Sequence, residues 1–300
     1  MKAVSYLAGI PPSNKNPEKA EMLRLFVQGV QASGDQALLH AGHNLVDCDV
    51  AFIQGWQHEH GKSAPHLALR QQVIDYQRAK NKRLLVVDSN LFNYRGHNAY
   101  GRYSFDGVFP TTGEYFCDNV NPNRWQQISS DTGIVLKDWR THGSHILICT
   151  QRNGGWSMQG KNVVNWLDQT IADIRRYSDR PIRIRAHPGD KSAPQYLAGR
   201  QISTNTNLVD DFANAWAVIT YNSTPGVAAA IEGIPAFVTD PRPANSQAYA
   251  VSNHDLSKIE SPDMPDRQLW IQRLSMCHWS KSELASGAAW RHFRQYVQRQ

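Results

Sequence analysis

Short apolar runs alternate with helical stripes along the chain. Val4–Ala8 is an apolar run closed by Gly9, and Val50-Ala51-Phe52-Ile53 and Leu84-Leu85-Val86-Val87 repeat it, as buried strands do. Met22, Leu25, Phe26 and Val30 fall on one face of a helix predicted over about 18–32, opened by Pro17, and a second helix is predicted around 66–80. Strand, helix, strand, helix, strand is the grammar of a parallel sheet with crossover helices. The periodicity fades over about 91–140, where Asn, Gly, Tyr and Arg dominate. It returns with strands at His145–Cys149, Pro181–Arg185, Trp216–Thr220 and Ala236–Thr239, helices at 162–177 and about 224–232, and a tail helix at about 281–297. The fold class expected is α/β, with two Rossmann-like doubly wound units spanning 1–140 and 141–280, a C-terminal helix at 281–300, and the active site in the cleft between the units.

Composition narrows the partners. Lys and Arg number 32 against 26 Asp and Glu, a formal charge of +6 in 300 residues. That is mildly basic, compatible with an anionic substrate or nucleic acid but short of a polycationic binder. No apolar run reaches the length of a membrane span, and Met1–Gly9 lacks the apolar core of a signal peptide. Cys48, Cys117, Cys149 and Cys277 are scattered with no CxxC pair, which argues against a disulfide framework or a cysteine zinc site. The expected home is the cytoplasm, with no membrane partner.

Ligands of open parallel sheets bind beyond the carboxyl ends of the strands, and four turns qualify in the second unit: Thr150–Gly155 with Gln151 and Arg152, Ala186–Asp190 with His187, Tyr221–Gly226, and Asp240–Pro243. Ser223 and Thr224 stand at a helix start, where free N–H groups and the dipole favour an anion. Pro225 suits the first turn and Gly226 allows close approach; a plain N-cap is the competing reading. Arg152, His187 and this helix start converge on one edge and together suit a diphosphate. In the first unit Asp88 ends a strand, either as a base for a hydroxyl or as a capping residue. His58-Glu59-His60 follows another strand and lacks a third metal ligand, and Asp47-Cys48-Asp49 precedes a strand and reads as a turn. The loop Asn90–Arg102, with Tyr94, Arg95, His97, Tyr100 and Arg102, mixes cations and aromatics as nucleic-acid surfaces do, or is an ordinary polar loop. Trp56, Trp125, Trp139 and Trp156 fall in expected loops, open to stacking on a sugar or base, whereas Trp166, Trp216, Trp270 and Trp290 fall at core spacing.

Arg183-Ile184-Arg185-Ala186-His187-Pro188, then Asn222-Ser223-Thr224-x-Gly226 and Gly233-Ile234-Pro235, resembles the donor half of GT-B glycosyltransferases. The nearest look is to capsule-polysaccharide and related bacterial or phage enzymes with an HP motif and a downstream Ser/Thr motif, over roughly 141–245. The resemblance implies a nucleotide-sugar donor, foremost a UDP-sugar, no cofactor and no metal. Donor contacts would come from Gln151, Arg152, Arg185, His187, Asn222, Ser223, Thr224 and Gly226, the catalytic pair would be His187 and Asp88, and Glu59, Arg95, His97 and Arg102 would meet the acceptor. Where such families carry a ribose-binding acid this chain has Ala228, and the nearest acid is Glu232. The block Trp139-Arg140, Gln151-Arg152 and Gly155–Met158 looks like phage-type glycosyltransferases, which raises hydroxymethylcytosine or a similar base of double-stranded phage DNA as the acceptor. A capsule or surface-glycan transferase and a non-catalytic nucleotide- or sugar-binding protein are the alternatives; a glycerophosphate-type transferase also resembles the HP architecture.

Overall fold

The computed structural model describes residues 1–11, 17–56, 64–96, 99–108 and 120–297. The chain runs β1 (Lys2–Tyr6), α1 (Pro17–Ala32), β2 (Gln36–His40), β3 (Val50–Gln54), α2 (Pro65–Ala79), β4 (Arg83–Asp88) and β5 (Tyr100–Phe105). It continues through α3 (Pro122–Thr132), β6 (His145–Cys149), α4 (Val163–Arg175), β7 (Ile182–Arg185), α5 (Ala193–Leu197), α6 (Leu208–Asp211), β8 (Ala215–Thr220), α7 (Thr224–Ile231) and β9 (Ala236–Val238). It ends in α8 (Gln268–Met276), β10 (His278–Ser280), α9 (Lys281–Ala285) and α10 (Ala288–Val297). Two compact units result: Met1–Asn90, Asn98–Asn121 and Arg273–Gln300 form one, Leu91–His97 and Pro122–Gln272 the other. The expected boundary near 140 therefore falls at 121/122, and the tail belongs to the first unit.

The first unit holds a six-stranded sheet in the order β10-β5-β4-β3-β1-β2. β1 to β4 are parallel, as the apolar runs predict. β5 and β10 are antiparallel, a correction to a wholly parallel sheet. β5 lies in the stretch expected to be loop, and all six of its residues are buried because it is paired on both edges. Its Tyr-Gly-Arg-Tyr-Ser-Phe sequence carries no polar–apolar alternation, so the partners on either side decide its fate. The core forms where α1 and α10 cover the sheet: the Phe26 ring lies 4.2 Å from Phe52 and 5.6 Å from Trp290, each burial contributing roughly 1.5–3 kcal/mol. Trp290 Nε1 donates to Asp35 at 2.8 Å, and Asp35 also takes the Met1 amino group at 2.7 Å. This fastens the tail to the N-terminus.

The second unit has a four-stranded, wholly parallel sheet in the order β7-β6-β8-β9. The chain leaves β6 for β7 on one side and returns to β8 on the other, so the order reverses between β6 and β8. Crevices open at such switch points. β6, β8 and β9 are continuous apolar runs because both faces are covered, whereas the edge strand β7 alternates Ile and Arg. Asn162 caps α4, its Oδ1 accepting the N–H of Val164 and Asn165 at 2.8 and 3.2 Å. Gly233, at φ +74°, turns the chain from α7 into β9, and a Cβ there would stand 1.9 Å from the Asp138 carbonyl oxygen. α3 was also expected to be irregular; Trp125 on it is core, 5.8 Å from Phe92, and not a loop stacking residue. No helix among the described residues is long and apolar enough to cross a membrane.

α1 meets α9 at Gly29, where a Cβ would lie 1.8 Å from the Leu284 carbonyl oxygen. Gly29→Ala is expected to destabilise the first unit by about 3 kcal/mol, the upper end of overpacking penalties. Urea unfolding followed by tryptophan fluorescence measures it, and an unchanged midpoint would remove this close approach from the account.

Candidate functional site

The carboxyl ends of β6, β8 and β9 are bound into one polar cluster. The Asn222 backbone N–H, just beyond β8, donates to Gln151 Oε1 beyond β6 at 2.9 Å. Gln151 Nε2 donates to Ser157 Oγ at 2.8 Å. Asn222 Nδ2 donates to Asp240 Oδ2 beyond β9 at 2.8 Å and to the Ser157 carbonyl at 3.0 Å. Asp240, fully buried, also accepts from Arg242 Nε at 2.9 Å and Asn245 Nδ2 at 3.1 Å. Burial alone would push its carboxyl up, but donors from Arg242, Asn222 and Asn245 outweigh that and hold it below the ordinary range. Gln151 and Asn222, expected to touch a donor, are buried and hold these protein groups, though Asn222 Oδ1 has no partner among the described residues.

That scaffold presents the start of α7. Ser223 sits at the N-cap, but its hydroxyl makes no cap bond and lies 2.5 Å from Thr220 Oγ1 instead. The first amides of the helix keep no side-chain cap, and the half-buried Thr224 hydroxyl stands beside them. Gly226 is buried, and a Cβ there would meet Thr220 Cγ2 at 3.0 Å. It serves helix-on-strand packing, a role other than the ligand approach expected of it.

Two further groups share this edge. Thr150 Oγ1 accepts the His187 N–H at 3.3 Å, joining the turns after β6 and β7. His187 Nδ1 accepts the Gly189 N–H at 3.0 Å, which leaves Nε2 to carry the ring proton. Protein packed around the ring, with the Arg152 charge adding to it and Asp190 opposing, holds His187 below its ordinary pKa, so it is neutral near neutral pH. Arg152 is exposed, and no bond among the described residues engages its guanidinium. Together these groups form a cationic, donor-rich rim at the switch point.

Other expected site residues are absorbed by the fold. Arg185 donates to the carbonyls of Asn205 at 3.0 Å and Thr206 at 2.9 Å and pairs with buried Asp211, so it holds the 205–211 loop and does not face a donor. Arg95 belongs to the second unit and donates to buried Glu232 at 2.5 Å, where Lys137 and Tyr94 also bond. Glu232 is therefore unavailable to a ribose, and Arg95 to an acceptor. Asp88 ends β4 opposite Arg102 of β5, whose Nη2 reaches it at 2.8 Å. Arg102 is buried and so is a positioning partner of Asp88, not a surface contact. Trp139 stacks beneath Arg267 at 3.7 Å. Glu59, His97, His58 and His60 lie outside the described residues. Arg70 escaped the sequence reading: buried on α2, it donates to the carbonyls of Gly9 at 2.8 Å and Trp56 at 3.1 Å near the strand ends of the first unit. Its position in a helical stripe gave no signal that it reaches them.

The Asp240 carboxyl, held low in the fold, adds stability that is complete above the ordinary carboxylate range and is lost as pH falls through its lower folded value. Asp240→Asn is expected to lose roughly 1.5–3 kcal/mol at pH 7 and to show a shallower acid limb in unfolding measured from pH 7 downward. Equal losses for both proteins across that range would refute this. No protein-family model matches the sequence, nor does any curated protein. Among solved structures the chain is similar to two of KpsC from Thermosulfurimonas dismutans. One is described as a β-Kdo 2,4 transferase, at 11% identity and TM-score 0.54 over 93% of this chain and 92% of that one. The other is described as a β-Kdo 2,7 transferase, at 11% identity and TM-score 0.50 over 96% and 99%. At that identity the likeness is one of fold: the chain has the GT-B-type architecture of two Rossmann-like α/β units.

Proposed function

We propose that the protein is a glycosyltransferase that moves a sugar from a nucleotide-sugar donor to a hydroxyl acceptor. The observation that carries this reading is the uncapped start of α7, where the Ser223 hydroxyl is turned to Thr220 and the Thr224 N–H is engaged by no bond among the described residues, Pro225 having no N–H and the Gly226 N–H bonding the Ser223 carbonyl at 3.1 Å. The donor diphosphate would sit there, held also by Arg152 and by the His187 Nε2–H. As the bond from the anomeric carbon to the diphosphate breaks, negative charge grows on the leaving phosphate, and fixed donors stabilise it with little reorganisation. A neutral His187 donates one such bond while Gly189 holds its other nitrogen. Asp88, oriented by Arg102, would accept the proton of the acceptor hydroxyl.

The acceptor has two readings. A hydroxymethylated base in duplex DNA draws on the mildly basic charge, the cation–aromatic stretch 90–102 and the likeness to phage-type enzymes, and of that stretch Arg95 and Arg102 are held by internal carboxylates. A glycan hydroxyl is the other acceptor, to be tested beside it. The fold shared with transferases that bear Kdo in their names is compatible with it.

Radiolabelled UDP-, GDP- and CMP-sugars, offered with capsule-type oligosaccharides, with hydroxymethylated duplex DNA and with unmodified DNA, test both readings in one experiment. Label on one acceptor class is the expected result, and neither transfer nor donor hydrolysis would overturn the transferase reading. Arg152→Ala and Thr224→Ala are each expected to raise the donor KM by about tenfold to a hundredfold, the worth of one charge-assisted bond. Steady-state kinetics at saturating acceptor checks this, and unchanged donor affinity in both variants would displace the donor from α7.

A further inference from the structure

A second concavity in the same unit is not used by this mechanism. It has a volume of about 630 Å³ and runs along the outer flank of α4. One wall is formed by Asn162, Asn165, Trp166, Gln169, Asp173 and Tyr177, which recur on one side of α4 and just beyond its ends, and the other is residues 254–257. From Val163 to Arg175 the helix that forms this wall extends about 18 Å at the helical rise, so the groove suits a chain better than a single ring. Tyr221 and Thr239, just beyond β8 and β9, also line it.

The lining defines the ligand. Trp166 Nε1 donates to Thr239 Oγ1 at 2.8 Å, and its ring meets that of buried Tyr221 edge-on at 6.2 Å. The half-buried Trp166 ring is thereby fixed before a ligand arrives, which lowers the ordering penalty of binding. Tyr177 offers a second ring, 50% exposed. Asn165 carries an exposed amide with both donor and acceptor capacity. The charges balance, with Lys161 and Arg176 against Asp173 and Asp255, and Arg176 is already 3.3 Å from Asp173. A polyanion such as DNA gains nothing from a neutral groove, and an amphipathic peptide helix needs an apolar trough, of which Leu256 is the one aliphatic contribution. Flat aromatic faces, amides and hydroxyls without net charge match a neutral oligosaccharide, whose rings present C–H faces and hydroxyl edges.

We propose that the groove between α4 and residues 254–257 is a saccharide-binding site that seats an oligosaccharide chain with ring faces on Tyr177 and Trp166. The site stands independently of transfer: it would hold a glycan even if the protein turned over no nucleotide sugar. The test uses the full chain on an array of neutral, amino-sugar and acidic oligosaccharides, followed by calorimetric titration of a captured one. Retention of a neutral oligosaccharide, tighter for longer chains, is expected. Tyr177→Ala and Asn165→Ala, both at exposed positions, should each weaken it by about tenfold while melting with the wild type. No glycan retained, acidic glycans alone retained, or retention equal in wild type and both variants would overturn the proposal. Donor hydrolysis by the wild type, measured separately, reports on the transferase reading, so the two can fail independently.

Discussion

The buried carboxylate of Asp240 orders the functional edge of the second unit. A charge withdrawn from water is tolerated only when donors surround it, and here they come from Asn222, Arg242 and Asn245. Asn222 in turn gives its backbone N–H to Gln151. One anion thereby ties the ends of three strands and sets where the chain enters α7. The carboxylate is itself enclosed; it determines the backbone at the start of α7.

With the ends of the strands fixed, the division of labour among the polar residues follows. Those with amide or carboxylate heads, Gln151, Asn222 and Asp240, point inward and bond to the scaffold, with the buried Asn222 Oδ1 left without a partner among the described residues. Ser223 is drawn to Thr220, which leaves the start of α7 uncapped. Arg152 and His187 remain at the rim with donors to offer. The same principle operates in the first unit, where Arg102 fixes Asp88 across an antiparallel pair, and Asp35 gathers the N-terminus and Trp290.

Much of the second unit was legible because its signals are local. β6, β8 and β9 are apolar runs ended by polar turns, and α7 begins at a Ser-Thr-Pro-Gly start. β5 and α3 were not legible. β5 is a strand because β4 and β10 supply its hydrogen bonds, and α3 buries Trp125 and Ile128 on a helix too polar for a clear stripe. The tail helix was legible as a helix, but its membership of the first unit depends on Trp290 reaching Phe26 and Asp35.

The sequence by itself determined the α/β class, the strand ends that carry the polar turns, and the hydroxyl-bearing helix start, since periodicity and punctuation act over a few residues. It could not determine which cations are left for a ligand. Arg185 meets Asp211 across 26 positions and Arg95 meets Glu232 across 137, so a counter-ion is invisible until the chain has folded. Only the tertiary structure distinguished Arg152, exposed at the rim, from those arginines. The physical reason is that secondary structure is dictated by neighbours along the chain, whereas the electrostatic state of a side chain is dictated by neighbours in space.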